Sequence, residues 1–224
     1  MNIVITGASK GIGLQLVNMF VKNKHNVVAI SRDISNFKNN KSKSLHPISF
    51  DLTSSDYTVV SSFIADNFMN VDILINNAGF LVNRAFEDLT DKDFDNVFNT
   101  NVRGIFKLSR VLLPLLKSNS HIVNISSIGG IIGSAKFPGL SLYSASKGAV
   151  SVLTECMAEE FKSRKISVNA LALGAVQTEM LAEAFPTYKA PLSAIEMAEY
   201  IYDFSINGSK YYNGKVLPVS LSTP

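Results

Sequence analysis

The chain has 224 residues, of which 46% are hydrophobic and 17% are charged, with a formal net charge of +3. This length suits one large domain, and the apolar content excludes an intrinsically disordered chain. The small, dispersed charge argues against a nucleic-acid-binding surface, and no apolar run is long enough to predict a membrane span.

Short β-branched runs alternate with longer amphipathic segments along the chain. The predicted strands are Asn2–Thr6, Asn26–Ile30, Leu45–Phe50, Val71–Ile75, His121–Ser126, Ile166–Leu171 and Lys215–Val219. The predicted helices are Gly11–Asn23, Ser54–Phe68, Asp91–Leu116 and Leu142–Arg164. The strands are almost continuously apolar, as expected of strands covered on both faces. The pattern therefore predicts an α/β fold, with residues 1–224 forming one doubly wound domain around a parallel sheet.

Two segments interrupt the alternation. Residues 31–45 are too few for a full crossover helix and rich in asparagine, so we expect a turn or a helical stub there. Residues 174–191 hold only a brief helical pattern bracketed by Pro186 and Pro191, which predicts a mobile flap.

A glycine-rich turn directly follows the first strand and opens the first helix. Gly7 permits a tight exit from the strand, and Gly11 lacks a Cβ where a pyrophosphate would approach the backbone. Gly13 lets the helix pack closely on the sheet, and the amides at the helix start attract an anion. In this context the turn predicts a dinucleotide-binding site.

The spacing Gly7-x-x-x-Gly11-x-Gly13 resembles the signature of the short-chain dehydrogenase/reductase family, in its compact NADP-preferring type. Five further motifs follow in the family's order: Asp51-Leu52, Asn76-Asn77-Ala78-Gly79, Asn101, Ser126-Ser127-Ile128-Gly129-Gly130, and Tyr143-x-x-x-Lys147. The resemblance implies a Rossmann-type fold and an NAD(P)-dependent enzyme acting on CH–OH or C=O groups. The cofactor-binding positions it implies are Gly7, Ser9, Lys10, Gly11, Ile12, Gly13, Ser31, Arg32, Asp51, Leu52, Asn77, Ala78, Gly79, Tyr143, Lys147, Gly174, Val176 and Thr178.

Tyr143 and Lys147 lie four residues apart and share one helix face. A phenol has an ordinary pKa of about 10, and a nearby ammonium favours its ionised form, so Lys147 is predicted to lower the pKa of Tyr143. The resemblance implies that hydride passes from the nicotinamide to a carbonyl carbon while Tyr143 protonates the oxygen. It also implies that Ser127 orients that oxygen and that Lys147 anchors the nicotinamide ribose. By the same resemblance Asn101 holds a water that links Lys147 to solvent; a structural amide bound to helix backbone is an equal alternative.

The end of the second strand bears on the choice of cofactor. An NAD site wants a carboxylate at the strand tip, where this chain has Ser31 followed by Arg32. The Arg32 guanidinium can pair with a 2′-phosphate, and Lys10 adds a second cation, so we predict NADP(H) rather than NAD(H) and the reductive direction. Asp33 lies one or two positions late for the NAD role, and a merely solvated Arg32 is the alternative.

The chain departs from the family pattern in two loops. Leu173-Gly174 replaces the usual Pro-Gly, while Thr178 keeps its place for the nicotinamide amide. Ser127 and Tyr143 are 16 positions apart, more than the family usually shows. Apolar residues on the loops above the sheet predict a small hydrophobic carbonyl substrate, with a place in the core as the alternative: Phe80, Leu81, Ile131, Ile132, Phe137, Met180, Leu181 and Phe185.

The remaining expectations concern partners and location. By the family likeness the two longest helices pair between subunits, which predicts a homodimer or homotetramer. A single cysteine, no basic leader and three histidines without ligand spacing predict a cytoplasmic protein with no metal site. A non-catalytic dinucleotide-binding regulatory protein of the same fold, and an epimerase or dehydratase using the same tyrosine, are the alternatives.

Overall fold

A computed structural model describes residues 1–221 of the chain. It confirms the predicted parallel sheet, whose seven strands run in the order β3-β2-β1-β4-β5-β6-β9. These strands are β1 (Asn2–Thr6), β2 (Asn26–Ser31), β3 (Leu45–Ser49), β4 (Val71–Asn76), β5 (Leu116–Ser127), β6 (Ser167–Leu173) and β9 (Val216–Val219). The strand order reverses between β1 and β4, and a doubly wound sheet opens a crevice at that point.

Helices cover both faces of the sheet. They are α1 (Gly11–Lys22), α2 (Thr58–Asn67), α3 (Asp91–Phe98), α4 (Gly104–Leu112), α5 (Ser141–Glu160), α6 (Glu179–Ala184) and α7 (Ala194–Asn207). Successive residues of β1 alternate between the two cores, because side chains of a strand point to opposite faces. Ile3 and Ile5 pack with α1 and α7, whereas Val4 packs with α2, α4 and α5.

The predicted helix Asp91–Leu116 is wrong in its continuity and its end. A π-helical turn over Asn99–Arg103 separates α3 from α4, and a 3-10 turn over Leu113–Leu115 ends the segment. Pro114 cannot donate the amide hydrogen that an α-helix needs, so the helix ends there and β5 begins at Leu116 rather than His121.

The sequence analysis also missed α7. Its signal is a capping box, in which the Ser193 hydroxyl accepts from the Glu196 amide and the Glu196 carboxylate accepts from the Ser193 amide. Met197, Ile201 and Phe204 then repeat at helical spacing and are buried.

Helix α2 begins at Thr58 rather than Ser54. The Asp51 and Asp56 carboxylates each accept the amide two residues on, from Thr53 and Thr58, and such turns compete with helical hydrogen bonds.

The two interrupting segments contain only short elements, and the mobility expected of residues 174–191 stays a prediction. Ser35–Phe37 forms a single 3-10 turn, as predicted. The segment 174–191 holds β7 (Val176–Gln177) and α6, and β7 pairs in parallel with β8 (Leu192–Ser193). None of the helices within residues 1–221 has the length and apolarity needed to cross a bilayer.

Candidate active site

A cleft of about 980 Å³ lies over the carboxyl ends of the central strands. Every predicted cofactor-binding position lines it except Gly13, and every predicted catalytic position lines it except Asn101. The predicted residues therefore meet in this cleft. Its charged side chains range from the exposed Arg32 to the buried Lys147.

The glycine-rich turn forms one wall of the cleft. Gly11 has a φ of +49°, and a Cβ on Gly13 would overlap the Gly7 carbonyl oxygen. The Lys10 side chain does not cap α1, and the first turn of the helix carries no acidic residue. The first amides of a helix have no intrahelical acceptor, so this turn offers them to an anion. The turn thus fits the pyrophosphate of a dinucleotide.

The Asn77 side chain joins this turn to the end of β4. Its Nδ2 donates to the carbonyl oxygens of Thr6 and Gly7, at 3.0 and 3.2 Å. The Thr6 hydroxyl accepts in return from the amides of Asn77 and Ala78. These bonds fix the spacing between the two loops across the crevice.

The end of the cleft at β2 and β3, where the resemblance leads us to expect the adenosine, is called the adenosine end, and it carries exposed charges. The Ser31 hydroxyl accepts from the Ser9 amide at 3.0 Å and so shapes the glycine turn. The Asp33 carboxylate accepts from the Ser35 amide at 2.8 Å, and this bond lowers its pKa, with Lys10 acting in the same direction. Arg32 is exposed beside the cleft.

Asp51 and Leu52 lie in a well-connected loop at the same end. The Asp51 carboxylate accepts from the amide and hydroxyl of Thr53, at 2.8 and 2.9 Å. The Leu52 carbonyl accepts from the Tyr57 hydroxyl at 2.6 Å. Both residues are thereby held at the edge of the cleft.

Asn101 occupies the π-helical turn and is fully buried. Its Oδ1 accepts from the Phe80 amide at 2.7 Å, and its Nδ2 donates to the Phe80 carbonyl and the Ser146 hydroxyl, both at 2.9 Å. Both hydrogens of the amide are used to join the β4 loop to α5. The side chain thus has a structural role, but its partners are loop backbone and a serine hydroxyl rather than the helix backbone of the predicted alternative, and the water relay stays a prediction.

Tyr143 and Lys147 meet at the other end of the cleft, where the resemblance leads us to expect the nicotinamide and which we call the nicotinamide end. Lys147 is 2% exposed, its Nζ lies 5.6 Å from the centroid of the Tyr143 ring, and it donates to the Ile125 carbonyl at 2.8 Å. Burial raises the pKa of Tyr143 to about 12 and lowers the pKa of Lys147 to about 8. The predicted lowering of the Tyr143 pKa is thus wrong for this structure, because loss of hydration disfavours the phenolate. Both groups hold their protons at neutral pH.

Two neighbouring serines at the end of β5 have different roles. The Ser127 hydroxyl lies in the cleft, accepts from the Gly129 amide at 3.2 Å and favours ionisation of Tyr143 by hydrogen bonding. The Ser126 hydroxyl donates to the Lys147 carbonyl at 2.9 Å. Ser126 therefore ties β5 to α5 beneath the candidate catalytic pair.

The α6 segment covers the cleft from the opposite side. The Thr178 hydroxyl caps α6 by accepting from the Leu181 amide at 3.3 Å, and its methyl group lies 3.3 Å from the place of a Cβ on Gly11. Gly174 packs against Ser220, and Val176 is buried in β7. The short distance between Thr178 and Gly11 places the start of α6 against the glycine turn.

Six of the eight apolar residues predicted at the mouth line the cleft: Phe80, Leu81, Phe137, Met180, Leu181 and Phe185. Ile131 and Ile132 do not, and the prediction is wrong for them. They line a neighbouring groove, and Ile132 is 99% exposed, because the 3-10 turn over Ile128–Gly130 directs the loop outward.

Comparison with known proteins gives matches along nearly the whole chain. The family model described as short chain dehydrogenase matches residues 1–189. The chain is 29% identical to the 3-oxoacyl-(acyl-carrier-protein) reductase FabG of Thermotoga maritima, over 96% of this chain and 94% of that protein.

Solved structures agree with this likeness. A 4-hydroxyisoleucine dehydrogenase complexed with NADH superposes with a TM-score of 0.87 at 25% identity, covering 98% of this chain and 96% of that one. ElxO with NADP bound superposes with a TM-score of 0.85 at 28% identity, covering 97% and 96%. The two neighbours hold different nicotinamide cofactors.

Proposed function

This chain belongs to the short-chain dehydrogenase/reductase family, and we propose that it reduces the carbonyl group of a small hydrophobic substrate with NADP(H). The observation that carries the proposal is the meeting of Tyr143, Ser127 and Lys147 in one cleft with an anion-binding glycine turn. A sensor that only binds a dinucleotide has no need of a phenol and a hydroxyl facing the same space.

The bound dinucleotide supplies the hydride, and the protein supplies position and a proton. The Ser127 hydroxyl donates to the substrate oxygen and orients it as negative charge develops there. Tyr143, whose pKa is about 12, holds a proton at neutral pH and gives it to that oxygen. The Lys147 ammonium, with a pKa of about 8, is charged at neutral pH and stabilises the phenolate that remains.

The preference for NADP(H) rests on the charges at the adenosine end. The Asp33 carboxylate is engaged by the Ser35 amide, whereas the Arg32 side chain is exposed at the cleft and can turn toward a ligand. A guanidinium matches a phosphate with two parallel hydrogen bonds, and Lys10 in the glycine turn adds attraction. The ElxO neighbour, which holds NADP, has the same fold at 28% identity.

The substrate class rests on the lining of the nicotinamide end. Phe80, Met180 and Phe185 line the same cleft as the candidate catalytic groups, and apolar walls favour a ketone with apolar substituents over a sugar. We also propose a cytoplasmic homodimer or homotetramer. Phe106 of α4 and Val152 of α5 are 46% and 60% exposed, and pairing these helices between subunits would bury both.

The test is oxidation of NADPH against a panel of ketones, β-ketoacyl thioesters and quinones, with the native chain and with Tyr143→Phe. We expect the substitution to lower turnover roughly 10²- to 10⁴-fold while NADPH binding is retained. Tyr211→Phe is the matched control, because that tyrosine is 78% exposed outside the cleft. Full activity of Tyr143→Phe would contradict the assigned proton donor. A native chain that binds NADPH and reduces nothing in the panel would favour a regulatory protein.

A further inference from the structure

The carboxyl end of α6 is tied to the loop that follows β4. The Asn83 Nδ2 donates to the Ala184 carbonyl at 2.8 Å and joins two residues that lie 101 positions apart. Both residues line the cleft. Within residues 1–221, the bond thus connects the loop after β4 to α6, and no strand pairing joins these two segments.

The base of the α6 segment is held by other contacts. Val176 pairs with Leu192 in the short parallel ladder, and the Gln177 Oε1 accepts from the Ala190 amide at 2.9 Å. Helix α6 has only six residues, and an isolated helix of that length is unstable in water. Its position above the cleft therefore depends on tertiary contacts at both of its ends. The entry to the segment is fixed at the sheet, where Leu173 pairs with Val219 and the Gly174 amide donates to the Val219 carbonyl at 2.9 Å.

Asn83 is itself held in place from two directions. The adjacent Arg84 amide donates to the Gly139 carbonyl at 3.1 Å, and the Arg84 guanidinium pairs with Asp93 at 2.6 Å in the capping box of α3. Gly139 has a φ of +85°, and the Asn83 Oδ1 occupies the place that a Cβ there would take. The amide thus has a fixed anchor on the sheet side of the cleft.

We propose that Asn83 is a positioning residue that holds α6 over the nicotinamide end of the cleft. The hydrogen bond that Asn83 donates to Ala184 keeps α6 closed over the cleft. It thereby also holds Thr178 next to Gly11 and Met180 next to Gly79. The consequence for turnover rests on the proposed function, whereas the consequence for α6 does not.

The experiment measures amide hydrogen exchange of residues 179–189 in Asn83→Ala and in the native chain, each with and without saturating NADPH. Loss of this bond is expected to speed exchange in that segment roughly two- to tenfold, the factor that corresponds to one hydrogen bond. NADPH dissociation should accelerate by a similar factor, and KM for the carbonyl substrate should rise more than kcat falls. Asn83→Asp keeps the size but presents no donor at neutral pH, so it should match Asn83→Ala.

Asn67→Ala is the matched control. Its Nδ2 also donates to a backbone carbonyl at 2.8 Å, that of Phe63, but on an exposed face of α2 outside the cleft. It should leave residues 179–189 unchanged.

Unchanged exchange of this segment in Asn83→Ala, or equally faster exchange along the whole chain, would overturn the proposal. Faster exchange confined to the segment supports it even if Tyr143→Phe remains active. That combination would leave Asn83 in its role and remove the proposed proton donor.

Discussion

Two buried bases differ in what surrounds them. His121 lies in the middle of β5, whereas Lys147 belongs to α5 and bonds to Ile125 near the carboxyl end of that strand; they are 1% and 2% exposed. Burial lowers the pKa of both, to about 8 for Lys147 and about 4 for His121. By these criteria alone either could belong to an active site.

The difference lies in their partners. The His121 Nδ1 lies 3.0 Å from the Ser205 carbonyl, and its Nε2 lies 3.0 Å from the Asn169 Nδ2. Asn169 also accepts the Lys215 amide on Oδ1, so its Nδ2 must face the histidine as a donor. The ring is therefore neutral, with Nε2 accepting and the Nδ1 hydrogen donated to Ser205. Every polar atom of His121 is used to join β5 to β6 and α7.

Lys147 is held by the Ile125 carbonyl but faces the cleft. An ammonium has three hydrogens, and a cleft gives the others access to a ligand. The lowered pKa therefore reflects burial for both Lys147 and His121. What distinguishes Lys147 is its access to the cleft, where a ligand can bind. We therefore propose that His121 contributes to stability and that Lys147 takes part in the chemistry.

The substitution with the largest expected effect is Lys147→Met, which keeps an unbranched side chain, one heavy atom shorter, and removes its charge. We expect turnover to fall roughly 10²- to 10⁴-fold, because the phenolate loses its neighbouring cation. The free energy of unfolding should change little, since one lost hydrogen bond is offset by removal of a poorly hydrated charge. Urea denaturation and NADPH oxidation measured on the same sample check both halves. A large loss of stability would place Lys147 with His121 as a structural group.

The converse substitution is His121→Gln, which should spare turnover and change the pH dependence of stability. The unfolded chain binds a proton on this histidine below about pH 6.5, whereas the folded chain resists until about pH 4. The native chain should therefore lose stability as pH falls through this window, by an amount on the order of 3 kcal/mol. His121→Gln should flatten that slope.

Urea denaturation between pH 4 and 7.5 measures the difference between the two chains, in which the carboxylate contributions cancel. His46→Gln is the control: burial lowers the pKa of His46 too, but the ring is only half-buried. It should flatten the slope much less. Parallel slopes for the native chain and His121→Gln would show that His121 is not kept neutral by the fold.

The residues that were predictable from sequence are those whose roles depend on local spacing. Gly11 and Gly13 follow a strand, and Tyr143 and Lys147 share a helix face, so local pattern places all four. The direction of the Tyr143 pKa was not predictable in this way, because it depends on burial by distant elements. Likewise His121 contacts Ser205, which lies 84 positions away, and a local sequence pattern cannot predict so distant a partner.

Arg32 extends the comparison of Lys147 and His121 to a third basic side chain, which is exposed rather than buried. Arg32→Ala should weaken NADPH binding roughly tenfold, the effect of losing one charge-assisted pair with a 2′-phosphate in partly screened surroundings, and should leave NADH binding unchanged. Lys38→Ala is the control, because Lys38 lies in the same exposed segment and does not line the cleft. Fluorescence titration with each nucleotide at two salt concentrations measures both effects, and the NADPH difference should shrink at high salt. Equal affinity of the native chain for NADH and NADPH would leave Arg32 a solvated side chain. We expect a smaller effect for Arg32→Ala than for Lys147→Met because Arg32 is hydrated before the ligand binds. A hydrated charge gains less interaction energy from its ligand than a charge that burial has deprived of water.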